Sequence, residues 1–370
     1  MDIYMKRILF YYPSKTVGGA QTLFIRLANY FSEQENYDVY IVDYDDGYLR
    51  KNIINSVNVI EYEERKTVGL DNVIVISPLS MILSIHKYLP LITGKFLFWG
   101  IHPENLIDIL RGSYRLKRKF SNVDNVLKCI NIVQYFKIKK ELTKLLNCRE
   151  VFFMDRDNME RSLSFYHLEE YNDKNFVPIP IMENNLEVSY LNKKNMAWVG
   201  RICHDKVQSL LYSLKKINSI TKEKVNFYII GDGDYIDLVK QENYENINII
   251  QKGFISNSAL APFLLEKHVG LVFAMGTSIL ETSYLKIPSM LVDPSYLKIN
   301  DSYTPKWAYE IKDYTLGSLN PDKKMGSFES MYQEYLKDSK NLIGSECYNY
   351  VVNKHKLEKT ALLLEQYFYD

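Results

Sequence analysis

The sequence predicts an α/β protein made of two doubly wound, Rossmann-like parallel-sheet domains facing a cleft. Three observations carry this. Apolar runs of strand length alternate with segments of helical period. The strands are apolar throughout rather than at every second residue, as in sheets covered on both faces. The alternation stops at a proline-containing connector near mid-chain and then starts again. At 370 residues the chain is long enough for two such cores.

In the first half, Arg7–Tyr12 is the opening strand, followed by the loop Pro13–Gly19 and a helix over Ala20–Phe31, where apolar residues recur at helical spacing. Strands are then expected at Asp38–Asp43, Asn58–Tyr62, Asn72–Ser77 and Lys95–Trp99, and again at Glu150–Met154. Asn175–Met182 carries Pro178 and Pro180, which stiffen an extended connector. Beyond it come a strand at Asn195–Val199, a turn at Gly200–Ile202, a helix over Lys206–Ile217 and a strand at Val225–Ile230 ending in Gly231-Asp232-Gly233-Asp234. Further strands lie at Asn246–Ile250, Val269–Ala274 and Ser289–Asp293, and a helical stretch runs from Tyr350 to Tyr367. The expected division is a first domain over 1–181, a second over 182–349 and a C-terminal helix over 350–370. In open α/β sheets the ligand lies outside the carboxyl ends of the strands, so the loops there are the places to search.

Composition narrows the classes. Net charge is +1, which gives no general attraction to nucleic acid. The four cysteines form no C-x-x-C pair and the six histidines are scattered, so neither a metal site nor a disulfide framework is expected, and a reducing cytoplasm fits. No signal-peptide pattern opens the sequence, and no apolar run reaches the ~18–20 residues that span a bilayer. The stretch 111–149 stands apart: eleven Lys/Arg against two acids give it +9, with Phe120, Val123, Ile130, Val133, Tyr135, Phe136 and Ile138 interleaved. That suits the surface of an anionic membrane; a solvated helical face is the plain alternative.

The most informative loop is Met275-Gly276-Thr277-Ser278, between an apolar strand and the helix carrying Glu281. A helix start offers free backbone amides, two hydroxyls and the positive end of the helix dipole, so its natural guest is a phosphate. Glu281 sits one turn in, where a carboxylate can accept from a ribose. The bland alternative is a helix whose Ser or Thr caps only its own backbone. Gly200-Arg201 with Lys206 places a guanidinium fork and a compact ammonium at another strand end, a pair suited to a diphosphate leaving group; surface cations are the alternative. Gly231-Asp232-Gly233 lines a third strand end. In the first half, Gly18-Gly19 precedes a helix and lets backbone approach an anion, and His102 follows the strand Lys95–Trp99, where it can donate to a sugar hydroxyl. Asp43-Tyr44-Asp45 has the D-x-D form that holds a divalent ion elsewhere, but beside Asp46 it reads as a solvated acidic loop.

Taken in order, these motifs resemble the GT-B glycosyltransferases, and most closely glycosyltransferase family 4. The set is Gly18-Gly19-Ala20-Gln21, His102, Val177-Pro178-Ile179-Pro180, Val199-Gly200-Arg201 with Lys206, Ile230-Gly231-Asp232-Gly233, Gly253-Phe254-Ile255, and Thr277–Glu281 before Ile287-Pro288. The resemblance implies a UDP- or GDP-sugar donor with no further cofactor or metal. Arg201, Lys206 and the Gly276-Thr277-Ser278 helix start would hold the diphosphate, and Glu281 the ribose. Backbone at Phe254 and Ile255 would receive the base, His102 the donor sugar, and Gly18 and Gly19 would approach the diphosphate from the other domain. It further implies retaining transfer to a glycan or lipid-linked acceptor, as in bacterial cell-surface polysaccharide assembly, and a final helix packed on the first domain. One position departs: the family pairs two glutamates separated by seven residues, and counting back from Glu281 gives Phe273. Two rivals stay open, a non-catalytic glycosyltransferase-like partner subunit and a nucleotide-sugar epimerase of the same fold. A dinucleotide dehydrogenase is disfavoured because no G-x-G-x-x-G follows the first strand.

Overall fold

The computed structural model describes residues 5–16, 18–117, 123–168, 176–181, 183, 186, 190–319 and 327–369. The chain divides into two compact units, Met1–Pro180 with Leu357–Asp370, and Ile181–Lys356.

The first unit opens with β1 (Lys6–Tyr11), α1 (Gly19–Ser32), β2 (Tyr37–Asp43), β3 (Asn58–Glu61) and β4 (Leu70–Pro78). It continues with α2 (Ile85–Tyr88), β5 (Ile92–Gly100), α3 (Ser113–Lys117), α4 (Asp124–Ile130), α5 (Ile132–Asn147), β6 (Val151–Phe153) and α6 (Arg156–Phe165). Its six strands are all parallel, in the order β3-β2-β1-β4-β5-β6. Aromatic rings fill the space between sheet and helices: Phe24 of α1 meets Phe10 of β1 edge-on at 5.7 Å, and Trp99 packs on Phe152 at 5.2 Å.

The second unit holds β7 (Asn192–Val199), α7 (Val207–Ile220), β8 (Val225–Ile230), α8 (Ile236–Lys240), β9 (Ile247–Gly253) and α9 (Asn257–Glu266). Then come β10 (Val269–Ala274), α10 (Thr277–Tyr284), β11 (Ser289–Leu291), β12 (Lys306–Trp307), α11 (Phe328–Lys337) and α12 (Leu342–Lys354). The order β12-β11-β10-β7-β8-β9 repeats the first sheet's plan, parallel except for the short antiparallel edge β12. β10 is buried at all six positions, which explains its unbroken apolar sequence.

The C-terminal stretch differs from the expected single helix over 350–370. Residues through Lys354 complete α12 of the second unit, and a new helix, α13 (Leu357–Tyr369), belongs to the first. His355 ends α12 with its carbonyl accepting from the Ile181 amide at 2.8 Å. α13 is then held by Thr360 Oγ1 donating to the Pro178 carbonyl, by Lys95 Nζ donating to the Tyr367 carbonyl and by Tyr367 packing on Phe152 in a tilted ring pair. The connector is extended and buried from Phe176 to Ile181; its expected ends, Asn175 and Met182, lie outside the described residues, as do 118–122 of the basic stretch. No helix among the described residues is long and apolar enough to cross a membrane.

Candidate functional site

In the second sheet the chain runs outward from β7 to β8 and β9, then returns to place β10 on the other side of β7. Ligands of open α/β sheets bind outside the carboxyl ends at such a reversal. The last register partners there are Val199 of β7 and Ala274 of β10. The Gly200–Arg201 loop and the Met275–Ser278 turn therefore leave the sheet from neighbouring strands in the same direction.

The loop after β7 is fixed by its backbone and by one apolar anchor. Ile202 is fully buried; its amide donates to the Asp232 carbonyl at 3.0 Å, and the Gly200 amide donates to the Ile230 carbonyl at 3.0 Å. A Cβ on Gly231 would fall 2.0 Å from the Gly200 carbonyl oxygen, so only glycine lets the ends of β7 and β8 come this close. The loop leaves Arg201 exposed and brings Lys206 to the residue preceding α7. Burial pushes the Lys206 ammonium below the ordinary lysine pKa; Asp205 and Cys203 oppose this, and the neighbouring Arg201 charge adds to it. A cation already disfavoured in its charged form gains from an arriving anion. Burial and a hydrogen bond with Asp205 push the Cys203 thiol up to about 11, so it is neutral at physiological pH and no nucleophile.

Across from this loop, Gly276 adopts φ 62 and ψ −144, a backbone open essentially to glycine alone, and its amide donates to the Leu316 carbonyl at 2.8 Å. Among the described residues, its chain neighbours aside, no atom lies within 4 Å of where its Cβ would be. No side chain caps α10. The Thr277 and Ser278 hydroxyls have no hydrogen-bond partner among the described residues, so the self-capped helix expected as the alternative is not what forms. Glu281 is half-buried four residues after Thr277 and so shares its face of α10.

The remaining strand ends continue the edge. Gly231 donates its amide to the Gly253 carbonyl at 2.8 Å, tying β8 to β9, after which Phe254 is 68% exposed and Ile255 half-buried. From β10 to β9 is three inter-strand spacings, about 14 Å in all. A row thus runs from Phe254 and Ile255 through Gly231 and Gly200–Arg201 to the Gly276–Ser278 turn.

One contributor escaped the sequence. Asp293, just past β11, is buried, and its carboxylate accepts from the Ser318 amide at 2.8 Å and the Tyr303 hydroxyl at 3.0 Å. Its carbonyl takes the Ser209 hydroxyl at 2.6 Å. Ser318 lies two residues from Leu316, which holds Gly276, so Asp293 braces the turn from behind. The only signal was an acidic residue closing an apolar run.

Phe273 lies inside β10, as its place in the predicted strand Val269–Ala274 requires, fully buried and stacked between Phe227 at 5.8 Å and Phe328 at 6.1 Å. One expectation is corrected: Asp43 is not solvated. It is fully buried, with one carboxylate oxygen accepting the Ser14 amide at 2.8 Å and the other the Arg50 amide at 3.0 Å, so it stitches two loops rather than offering itself to a cation. Asp45 and Asp46 are exposed.

In the first unit, Gly18 precedes α1 in an extended conformation, φ −166, which any residue adopts, and Gly19 begins the helix without a side-chain cap. His102 is exposed after β5; its Nδ1 accepts the Glu104 amide at 3.2 Å, which puts the neutral ring's proton on Nε2. Asn105 Oδ1 holds that loop by accepting the amides of Ile101 and His102. Gly18, Gly19 and His102 belong to the first unit, all other expected site residues to the second.

Two six-stranded sheets with this strand order, in a chain whose last helix returns to the first unit, define the GT-B fold. Among solved structures, Anabaena HepE in complex with UDP-glucose matches with a TM-score of 0.56 at 13% identity, over 97% of this chain and 98% of that one. A glycosyltransferase from Rickettsia africae matches with a TM-score of 0.50 at 13% identity, over 98% of both chains. The N-terminal domain of Candida albicans trehalose-6-phosphate phosphatase matches with a TM-score of 0.54 at 11% identity, over 98% and 96%. No family model and no curated protein matches the sequence.

Proposed function

We propose that this protein is a nucleotide-sugar-dependent glycosyltransferase resembling family 4. It moves a hexosyl group from a UDP- or GDP-sugar to a hydroxyl of a glycan or lipid-linked glycan on the cytoplasmic side of a bacterial membrane. One observation carries this reading: the Arg201–Lys206 loop and the uncapped start of α10 emerge side by side at the strand-order reversal. Backbone amides, two hydroxyls and two cations there are the donor set a diphosphate needs.

In this reading Arg201, Lys206 and the Gly276–Ser278 turn bind the diphosphate and stabilise the charge that develops as the glycosyl bond breaks. Glu281 accepts from the ribose, and Phe254 and Ile255 border the base. His102, with its proton on Nε2, donates to the donor sugar, and Gly18 and Gly19 bring backbone near the diphosphate. Retention of anomeric configuration and independence from metal follow from the family resemblance. The test is release of UDP or GDP from a panel of nucleotide sugars, alone and with glycan acceptors, by wild type and by R201A/K206A. The reading expects nucleotide release by wild type and its loss in the double variant; equal release by both contradicts it.

Phe273 in the core favours one second reading, a partner subunit that binds a nucleotide sugar without turning it over. Tight binding with no release under any acceptor would select it.

A further inference from the structure

We propose that the α4–α5 elbow of the first unit docks on an anionic lipid bilayer. Ile130, Ile132, Val133 and Phe136 enter the headgroup region, and the surrounding lysines hold lipid phosphates. The proposal does not depend on the transfer reading.

Apolar exposure is concentrated at this one place. Of sixteen large hydrophobic side chains exposed among the described residues, five fall between Val126 and Phe136, with exposures from 47% to 81%. They are not the fringe of a loosely held segment. α5 buries Tyr135, Ile138, Leu142, Leu145 and Leu146 on its inner side. The elbow between the helices is pinned by buried Asn131, whose Oδ1 accepts the Arg111 amide and whose Nδ2 donates to the carbonyls of Arg111 and Leu127. The apolar knuckle is therefore presented on a fixed support, a surface that a monomer in water has no use for.

Charge selects the occupant. The outer side of α5 continues from Val133 and Phe136 to Lys137, Lys140 and Lys144 at helical spacing, all exposed. Both acids of the stretch 111–149 are engaged, Asp124 by Arg161 at 2.5 Å and Glu141 by Lys144 at 3.6 Å. Lys137 and Lys140 have no acidic partner among the described residues. An apolar centre rimmed by cations, in a stretch of net charge +9, matches an anionic headgroup layer over acyl chains. A second copy of the chain would set the same cations against one another.

The test uses the purified full chain with phosphatidylcholine vesicles, with and without about one-third phosphatidylglycerol, in a sedimentation assay. Wild type is expected to sediment with the anionic vesicles and much less with neutral ones. Partition is expected to weaken at about 1 M salt, where the Debye length is about 3 Å. I132S/V133S/F136S and K137E/K140E are each expected to lose about tenfold in partition with an unchanged melting temperature. In F136W, the new indole emission is expected to shift to the blue on adding anionic vesicles, which keeps the test open should a multiple variant fold poorly. Absence of wild-type partition, equal partition by the serine variant, or a wild-type dimer that the serine variant dissociates would each overturn the proposal.

Discussion

Val199 and Ala274 are the last register partners of β7 and β10. Through that pairing the cation-bearing loop and the bare helix start become neighbours, although they lie far apart in sequence. The row continues to β9, and nothing in it depends on a side chain reaching far from its own strand end.

In the proposed diphosphate site, Lys206 is expected to make binding sensitive to pH. Its pKa is below the ordinary lysine value of 10.5 in the folded protein, chiefly through burial, and a bound diphosphate favours the charged form. The free site therefore starts to lose its cation at lower pH than an exposed lysine would, and affinity falls as pH rises. UDP titrations by calorimetry at about pH 7 and about pH 9 should show weakening in wild type and a flatter response in K206R, whose guanidinium stays charged.

Gly231 is a packing requirement. At φ +136, with a Cβ 2.0 Å from the Gly200 carbonyl oxygen, alanine is both strained and in collision. G231A is expected to lose about 1–3 kcal/mol in urea unfolding and to bind nucleotide more weakly, because the strand end it displaces carries Arg201.

Placing at Phe273 the glutamate that the family 4 resemblance would put there is expected to harm rather than help. Phe273 lies between Phe227 and Phe328, so F273E buries an unpaired carboxylate where rings were stacked. A loss of about 3–5 kcal/mol in stability, with no gain in nucleotide release, is the expected result. A folded F273E with enhanced turnover would mean that the position faces ligand after all.

Much of the fold was legible because its strands are buried on both faces and read as apolar runs, β10 most plainly. The short helices α2 and α8 and the two-residue edge β12 were not, since elements that short carry little periodicity. At the site, glycines and cations at strand ends could be read off directly. The places of Asp43 and Asp293 could not. The strand predicted over Val269–Ala274 already put Phe273 in the sheet; what the sequence did not show is that its ring stacks between Phe227 and Phe328. Asp43 and Asp293 are defined by backbone amides of other loops, Ser14 and Arg50 for one and Ser318 for the other.

Asp293 is a positioning residue. Replacing it with alanine leaves the buried Ser318 amide without its acceptor, a loss of about 1–3 kcal/mol. D293A is expected to weaken UDP binding as well, since the Leu316 carbonyl that fixes Gly276 moves with Ser318. D293N keeps one carboxamide oxygen for the amide and is expected to recover part of both; no recovery of binding would remove the positioning role.

In the proposed function, Arg201, Lys206 and the start of α10 form one diphosphate site. The most direct measurement is calorimetric titration of UDP and GDP, with UMP and GMP for comparison, into wild type and R201A/K206A. One diphosphate is expected to bind wild type clearly more tightly than its monophosphate, and the double variant to lose at least about tenfold in affinity while staying folded. Binding of diphosphate and monophosphate with equal affinity, or unchanged binding in the double variant, would contradict it.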